Sequence, residues 1–239
     1  MIFRLAAAVI LSVLTFWMPV GSRVHVELIA AMIRSPWYLP LTGCMQLGMT
    51  VGILLLTRKK LFAPGAWWLV AGILALVAGI LVPAQEVPPF VSGIITMATG
   101  LLFLIQSGMK LNPLNVHGVL RLILILTISC LGVIPGAGVL SMAMLAALIT
   151  GEETSKAYSM ACMASLWPQA VSGISHITVI PSLTPVSAAT GILAGCIGFV
   201  LAPLLVKGLK RWFQNHTLLV FGLWRLGFGA VFLLVFCIL

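Results

Sequence analysis

Two proline-broken stretches decide the reading of this chain: FWMPVGSRVH at 16–25 and GVIPGAGVLS at 132–141. Each interrupts an apolar run too short to cross a bilayer and allows it to turn back. Apolar segments broken at corresponding positions in two halves of a membrane protein point to a polar site near the bilayer midplane.

The composition fixes the solvent. With 62% hydrophobic and 7% charged residues and a mean hydropathy of +1.22, too little polar surface remains for a water-soluble body, and a polytopic all-α membrane protein is expected. The N-terminal run lacks a small-residue cleavage pattern before FWMPV and reads as retained. The net charge of +9 is not a nucleic-acid face. Arg58, Lys59 and Lys60 form one interhelical cluster, and Lys207, Lys210 and Arg211 form another, as cytoplasmic anchors do. The five cysteines, Cys44, Cys130, Cys162, Cys196 and Cys237, sit singly in apolar runs and read as small hydrophobes.

Working outward, runs long enough to span hydrocarbon fall at 39–56, 66–82, 90–107, 157–174, 186–206 and 217–238. The shorter pairs 2–17 with 24–33, and 119–133 with 139–150, read as re-entrant hairpins. Placing both basic clusters in the cytoplasm fixes the parity between them. PAQEVPP at 83–89 and the loop 176–185 then lie outside, while Lys110 and GEETSK at 151–156 lie inside. The second hairpin begins and ends on the cytoplasmic side and the first on the outer side. One transmembrane domain, 1–239, therefore reads as two inverted-topology repeats, about 1–110 and 117–239, each a hairpin plus three spans. Arg4, Arg23 and Arg34 fall against the charge rule and call for a watery pocket or another orientation of the first hairpin.

Ionisable groups near the tips are the candidate functional residues. The first tip offers Ser22, Arg23, His25 and Glu27. Arg23 and Glu27, four apart, share a helix face. Either Ser22, Arg23 and helix-start amides hold a phosphate, or Arg23 and Glu27 neutralise each other. The second tip offers Gly136, backbone amides and Ser141. It either orients an oxyanion or provides close glycine packing. Arg225, inside the last run, either snorkels to the cytoplasmic edge or reaches inward to a lipid headgroup. Glu152 and Glu153 read as favouring a helix N-terminus. His117 and His216 adjoin cytoplasmic loops and His176 an outer one. With His25 they show no metal-ligand spacing and the chain has no Asp, so no metal or cofactor is expected.

The order of these features resembles the undecaprenyl-pyrophosphate phosphatase family, known as BacA or UppP, over almost the whole chain. SVLTFWMPVGSRVH at 12–25 is similar to that family's E-G-L-T-E-F-L-P-V-S-S-T-G-H. MQLGMTVGILLLTRKKLF at 45–62 is similar to its IQLG span with paired basic residues, and PGAGVLS at 135–141 to its P-G-x-S-R-S-G. GEETSKAYS at 151–159 and FGLWR at 221–225 are similar to its last two motifs. The resemblance implies paired re-entrant hairpins and the bacterial inner membrane. It also implies a membrane-lipid partner, a polyprenyl phosphate or pyrophosphate, with no nucleic acid. Ser22 and His25 survive by position, as do the scaffold residues Thr15, Pro19, Pro135, Gly136 and Arg225.

The departures are chemical. Ser12 and Phe16 stand where the family places catalytic glutamates, and Gly138, Val139 and Leu140 where it places a phosphate-binding arginine flanked by serines. Pyrophosphate hydrolysis needs charge compensation on the phosphoryl group and a group to manage protons, and one lost donor alone costs about a hundred- to a thousandfold in rate. The expectation is a catalytically degenerate member that binds or translocates a lipid carrier through Ser22, Arg23, His25, Gly136, Ser141 and Arg225. One alternative is a phosphatase with a relocated site using Arg23, His25 and Glu27. Another is a non-catalytic subunit of a larger membrane complex. Glycine content is compatible with a homodimer or a membrane-protein partner.

Overall fold

The computed structural model describes residues 2–61, 67–81, 87–108, 118–179 and 184–238. Among these, all regular structure is helical: α1 (Ile2–Phe16), α2 (Ser22–Ile33), α3 (Tyr38–Leu61), α4 (Trp67–Leu81), α5 (Pro89–Gly108), α6 (Gly118–Leu131), α7 (Val139–Ile149), α8 (Thr154–Ile177), α9 (Pro185–Trp212) and α10 (Leu219–Ile238). The chain is a helical membrane protein. Tyr38–Thr57, Pro89–Gly108, Ser187–Trp212 and Leu219–Phe236 are each long and apolar enough to cross a bilayer.

Two of the six expected spans fall short of that criterion for different reasons. α4 has 15 described residues. α8 is long enough at 24 residues, but its inner face carries Tyr158, Ser165, Gln169 and His176 in place of a continuous apolar run. α8 also continues through Pro168 and includes His176, which sequence reasoning placed in a solvated loop. The imidazole is half-buried instead, with its ring centroid 6.3 Å from that of Phe16.

Glycines set the helix crossings. A Cβ at Gly48 would stand 1.9 Å from the Gly195 carbonyl oxygen, and one at Gly72 2.3 Å from that of Ala164. Backbone touches backbone at these points, the usual way membrane helices gain packing without a hydrophobic driving force. The register of contacts gives the running directions. Cys44, Gly48 and Gly52 of α3 meet Gly191, Gly195 and Ala202 of α9 in rising order, so these helices are parallel. Against α8 the order falls, with Gly43 beside Gly173 and His176 and Gln46 bonded to Gln169. Gly93, Met97 and Gly100 of α5 likewise meet Leu233, Gly229 and Gly222 of α10 in antiparallel order.

These directions place the end of α3, which carries Arg58, Lys59 and Lys60, at the same side as the end of α9 with Lys207, Lys210 and Arg211. α7 returns to the start of α8 at this basic end, whereas α2 returns to the start of α3 at the opposite one. The last residues of α2 and α7 thus lie at opposite ends of α3.

The inner helix of each hairpin starts on a glycine that side chains disfavour. Gly21 (φ 79°) precedes α2, and Gly138 (φ 80°) precedes α7; only glycine adopts such values at no steric cost. α7 is buried from Leu140 to Leu148. α2 is buried at Val24, His25, Val26 and Leu28 but open at Ala31 and Met32.

Candidate functional site

The hairpin tips meet on Arg225 of α10. A tight turn between two short helices leaves helix-end carbonyls without intrahelical partners, and apolar surroundings offer none. Arg225 supplies them from a fully buried position. Its Nε–H donates to the Pro19 carbonyl at 2.9 Å, Nη1 to that of Gly136 at 2.9 Å, and Nη2 to that of Ala137 at 2.8 Å and to Ser141 Oγ. The guanidinium also lies 5.3 Å over the centroid of the Phe103 ring, a favourable cation–π distance. Of the two sequence readings, snorkelling is overturned. Arg225 lies two turns inside α10 beside Gly100 of α5, and its bonds run to the tip carbonyls and not to the membrane edge. All four acceptors are neutral oxygens, so none of them cancels its charge.

The tips themselves come within van der Waals reach. A Cβ on Gly21 would lie 3.3 Å from both Arg225 Nη1 and the Gly136 oxygen, and one on Gly138 would lie 3.9 Å from the Gly21 Cα. Gly136 (φ 94°) is seated on α5, where a Cβ would stand 2.2 Å from the Ser92 carbonyl oxygen. Thr96 Oγ1 donates to the Gly136 carbonyl at 3.3 Å.

His25 is held beside this junction in a defined state. Its Nδ1 lies 3.0 Å from the Gly21 carbonyl and therefore carries the proton, while Nε2 accepts from Trp224 Nε1–H at 3.0 Å. These partners assign a neutral Nδ1–H imidazole. The ring stacks on Phe228 with centroids 3.7 Å apart. Glu27, two residues on, projects from a different face of α2, because i and i+2 do not face each other on a helix. The structure brings together His25, Gly136, Ser141 and Arg225. The side chains of Ser22 and Arg23 lie outside the described residues, as do His117, Lys110 and the side chains of Arg58, Lys59, Lys60 and Cys237.

Sequence reasoning missed how the first tip is clasped from the far side. Tyr158 OH donates to the Trp17 carbonyl at 2.9 Å, and Gln169 Nε2 to that of Phe16 at 3.0 Å. Gln46 Nε2 donates in turn to Gln169 Oε1 at 2.5 Å. Ser12, at a catalytic-glutamate position of the resembling family, sits 2.5 Å from Tyr38 OH and donates to the Ala8 carbonyl at 2.7 Å. Phe16, at the other, is buried in the apolar core. Trp17 Nε1 and Gln46 Oε1 are buried without a partner among the described residues. The available signal was the Tyr38, Thr42, Gln46, Thr50 spacing, a buried polar stripe four residues apart on an otherwise apolar helix.

Glu152 lies just ahead of the Glu153 N-cap of α8 and bonds Arg121 and Lys156, the latter at 2.6 Å, an ion-pair cluster added to its place at the helix N-terminus. Burial alone would raise its carboxyl, but Lys156 and Arg121 together hold it below the ordinary value of 4.5. Among the described residues no cluster of three or more metal-ligating side chains forms, and Cys44, Cys130, Cys162 and Cys196 are free.

Compared with known proteins, the chain matches no family model and no curated sequence.

Proposed function

We propose that this chain is a catalytically degenerate BacA/UppP-like protein of the bacterial inner membrane that binds a polyprenyl phosphate or similar lipid carrier, or moves it between leaflets. The observation that carries the reading is Arg225: one buried guanidinium, bonded among the described residues only to neutral oxygens, at the junction of the two hairpin tips. A charge kept in hydrocarbon costs at least about 2.5 kcal/mol and marks a ligand path more often than a scaffold. Among the described residues four of its five N–H bonds have oxygens, which leaves the fifth, on Nη1, for an anion.

The helix directions support an inverted repeat. α3 pairs with α8 and α5 with α10 in antiparallel order, as equivalent helices of two oppositely inserted halves do across a pseudo-two-fold axis. Both inner helices start on a positive-φ glycine two or three residues after a proline. The site chemistry disfavours hydrolysis. Ser12 and Phe16 replace the acids, His25 has both nitrogens engaged, and Glu27 shares no face with it.

The test is phosphate release from farnesyl pyrophosphate by the purified protein beside an active family member, together with binding of farnesyl phosphate. The expected result is no release and saturable binding, weakened about tenfold or more in Arg23→Ala, a loss of one charge-assisted contact, with folding retained. Release above the Arg23→Ala background would mean a rebuilt catalytic site and sink the degenerate reading.

A further inference from the structure

Arg225 is buried completely, so an anion reaches it only if part of its enclosure moves. Three walls are tight. α5 crosses α10 so closely that a Cβ at Gly100 would stand 2.8 Å from Arg225 Cβ, and one at Gly93 2.7 Å from a Leu233 methyl. The second tip is seated on the Ser92 carbonyl, and the helix behind it, α7, is buried along nine consecutive residues, Leu140 to Leu148. The first tip is clasped by Tyr158 and Gln169.

The remaining wall is α2. Among the described residues it packs chiefly on α1, sets Val26 into the main core, and touches α3 and α5 only slightly. Where it meets α10, Val24, Leu28 and Phe232 form a small apolar cluster of their own with Phe228, Val235 and Phe236, separate from the main core. The head of this seam is closed by the Trp224 Nε1–H bond to His25 Nε2 and by the stacked rings of His25, Trp224 and Phe228. Trp224 is 52% exposed on the bilayer side, and the next residue in the chain is Arg225.

We infer that the seam between α2 and α10 is the lateral opening through which a lipid-borne phosphate passes from the bilayer to Arg225, and that the Trp224–His25 hydrogen bond is its latch. The inference rests on the reading of Arg225 as an anion site. A seam lined by Val24, Leu28, Phe228 and Phe232 lets an isoprenoid tail stay in apolar surroundings while its headgroup moves inward. Breaking the latch strands a donor on the indole and an acceptor on the imidazole. A singly protonated phosphate monoester answers both, with an oxygen for Trp224 Nε1–H and its P–OH for His25 Nε2. A free hydrophilic phosphate has no comparable reason to approach from the bilayer side.

The experiment uses the full chain in lipid nanodiscs, as native protein and as Trp224→Phe, which keeps an aromatic ring and loses the N–H. Amide hydrogen exchange of α2 is followed with α7 as internal reference, and association and dissociation of farnesyl phosphate are timed, with inorganic phosphate as the headgroup-only probe. Losing one hydrogen bond predicts that α2 exchanges about three- to tenfold faster while α7 stays within about twofold. Farnesyl phosphate should associate and dissociate faster by a similar factor. Unchanged exchange of α2, an equal rise in α7, or unchanged farnesyl phosphate rates in a loosened α2 would overturn the latch. Inorganic phosphate binding as fast and as tightly as farnesyl phosphate would overturn the lateral route. Failure of farnesyl phosphate to bind the native protein would overturn the anion site itself.

Discussion

The two hairpins end on the same guanidinium but are secured by different means. The second is fixed through backbone and packing: Gly136 rests on the Ser92 carbonyl, α7 is buried along most of its length, and an ion-pair cluster ties its base. The first is fixed through side chains reaching in from elsewhere, with Tyr158, Gln169 and Arg225 taking the carbonyls of Trp17, Phe16 and Pro19. Its inner helix, α2, is exposed at Ala31 and Met32. Turn backbone in an apolar setting must be satisfied in either case. Arg225 and Thr96 donate to the second tip as well, but that tip is also seated on the backbone of α5. On this contrast the second hairpin is frame and the first is the element that yields.

Arg225→Met breaks both hairpins at once and carries the largest expected effect. It leaves the carbonyls of Pro19 and Ala137 buried without a donor and that of Gly136 with Thr96 alone. At about 1–3 kcal/mol for each unpaired group, the loss is about 2 kcal/mol or more, enough to compromise folding. Thermal denaturation in detergent reads it. A melting temperature within a few degrees of the native value would show that the tips do not depend on this residue.

A paired substitution separates the hairpins. Gly136→Ala forces a positive φ on a side-chain residue and drives its Cβ against the Ser92 backbone, which cannot step aside. Conformational strain of about 1–2 kcal/mol then adds to overpacking of about 1–3 kcal/mol. Gly21→Ala meets the same strain, but its neighbours lie at 3.3 Å and one is the end of a flexible arginine. It should cost about 1–2 kcal/mol. Equal destabilisation, measured by parallel melts, would erase the distinction between a packed tip and a clasped one.

The helical character of the chain and the placing of its apolar helices were legible because apolar run length and proline breaks are local signals that hydrocarbon enforces strongly. The neutral state of His25 was not, since it depends on Trp224, 199 residues away. Nor was the inward course of Arg225 decided by its own neighbourhood. FGLWR permits either direction, and the carbonyls that draw the guanidinium inward belong to loops at Pro19 and Gly136. The seam between α2 and α10 was invisible for a related reason: Val24 and Leu28 meet Phe232 from the opposite end of the chain.

The smallest expected effect tests the base of the frame. Glu152 bridges Arg121 at the start of α6 and Lys156 in the first turns of α8. Its carboxylate is held below the ordinary value of 4.5, against the opposing effect of burial, by both cations. A carboxyl whose folded value is depressed contributes stability that is fully present above the unfolded value and is lost as pH falls through the folded one. Between neutral pH and about pH 5 the contribution is therefore constant; it declines below about 4.5. Both cationic partners are more than a third exposed or nearly so, with side-chain exposures of 60% for Lys156 and 35% for Arg121. The cluster is accordingly worth about 1 kcal/mol or less. Glu152→Gln should lower the melting temperature slightly at pH 7 and flatten its fall between pH 5 and about 3. Hydrogen exchange should rise at the α6 and α8 ends and not in α2. A rise in α2 instead would mean that the two hairpins move as one body, and the division into frame and moving element would fail.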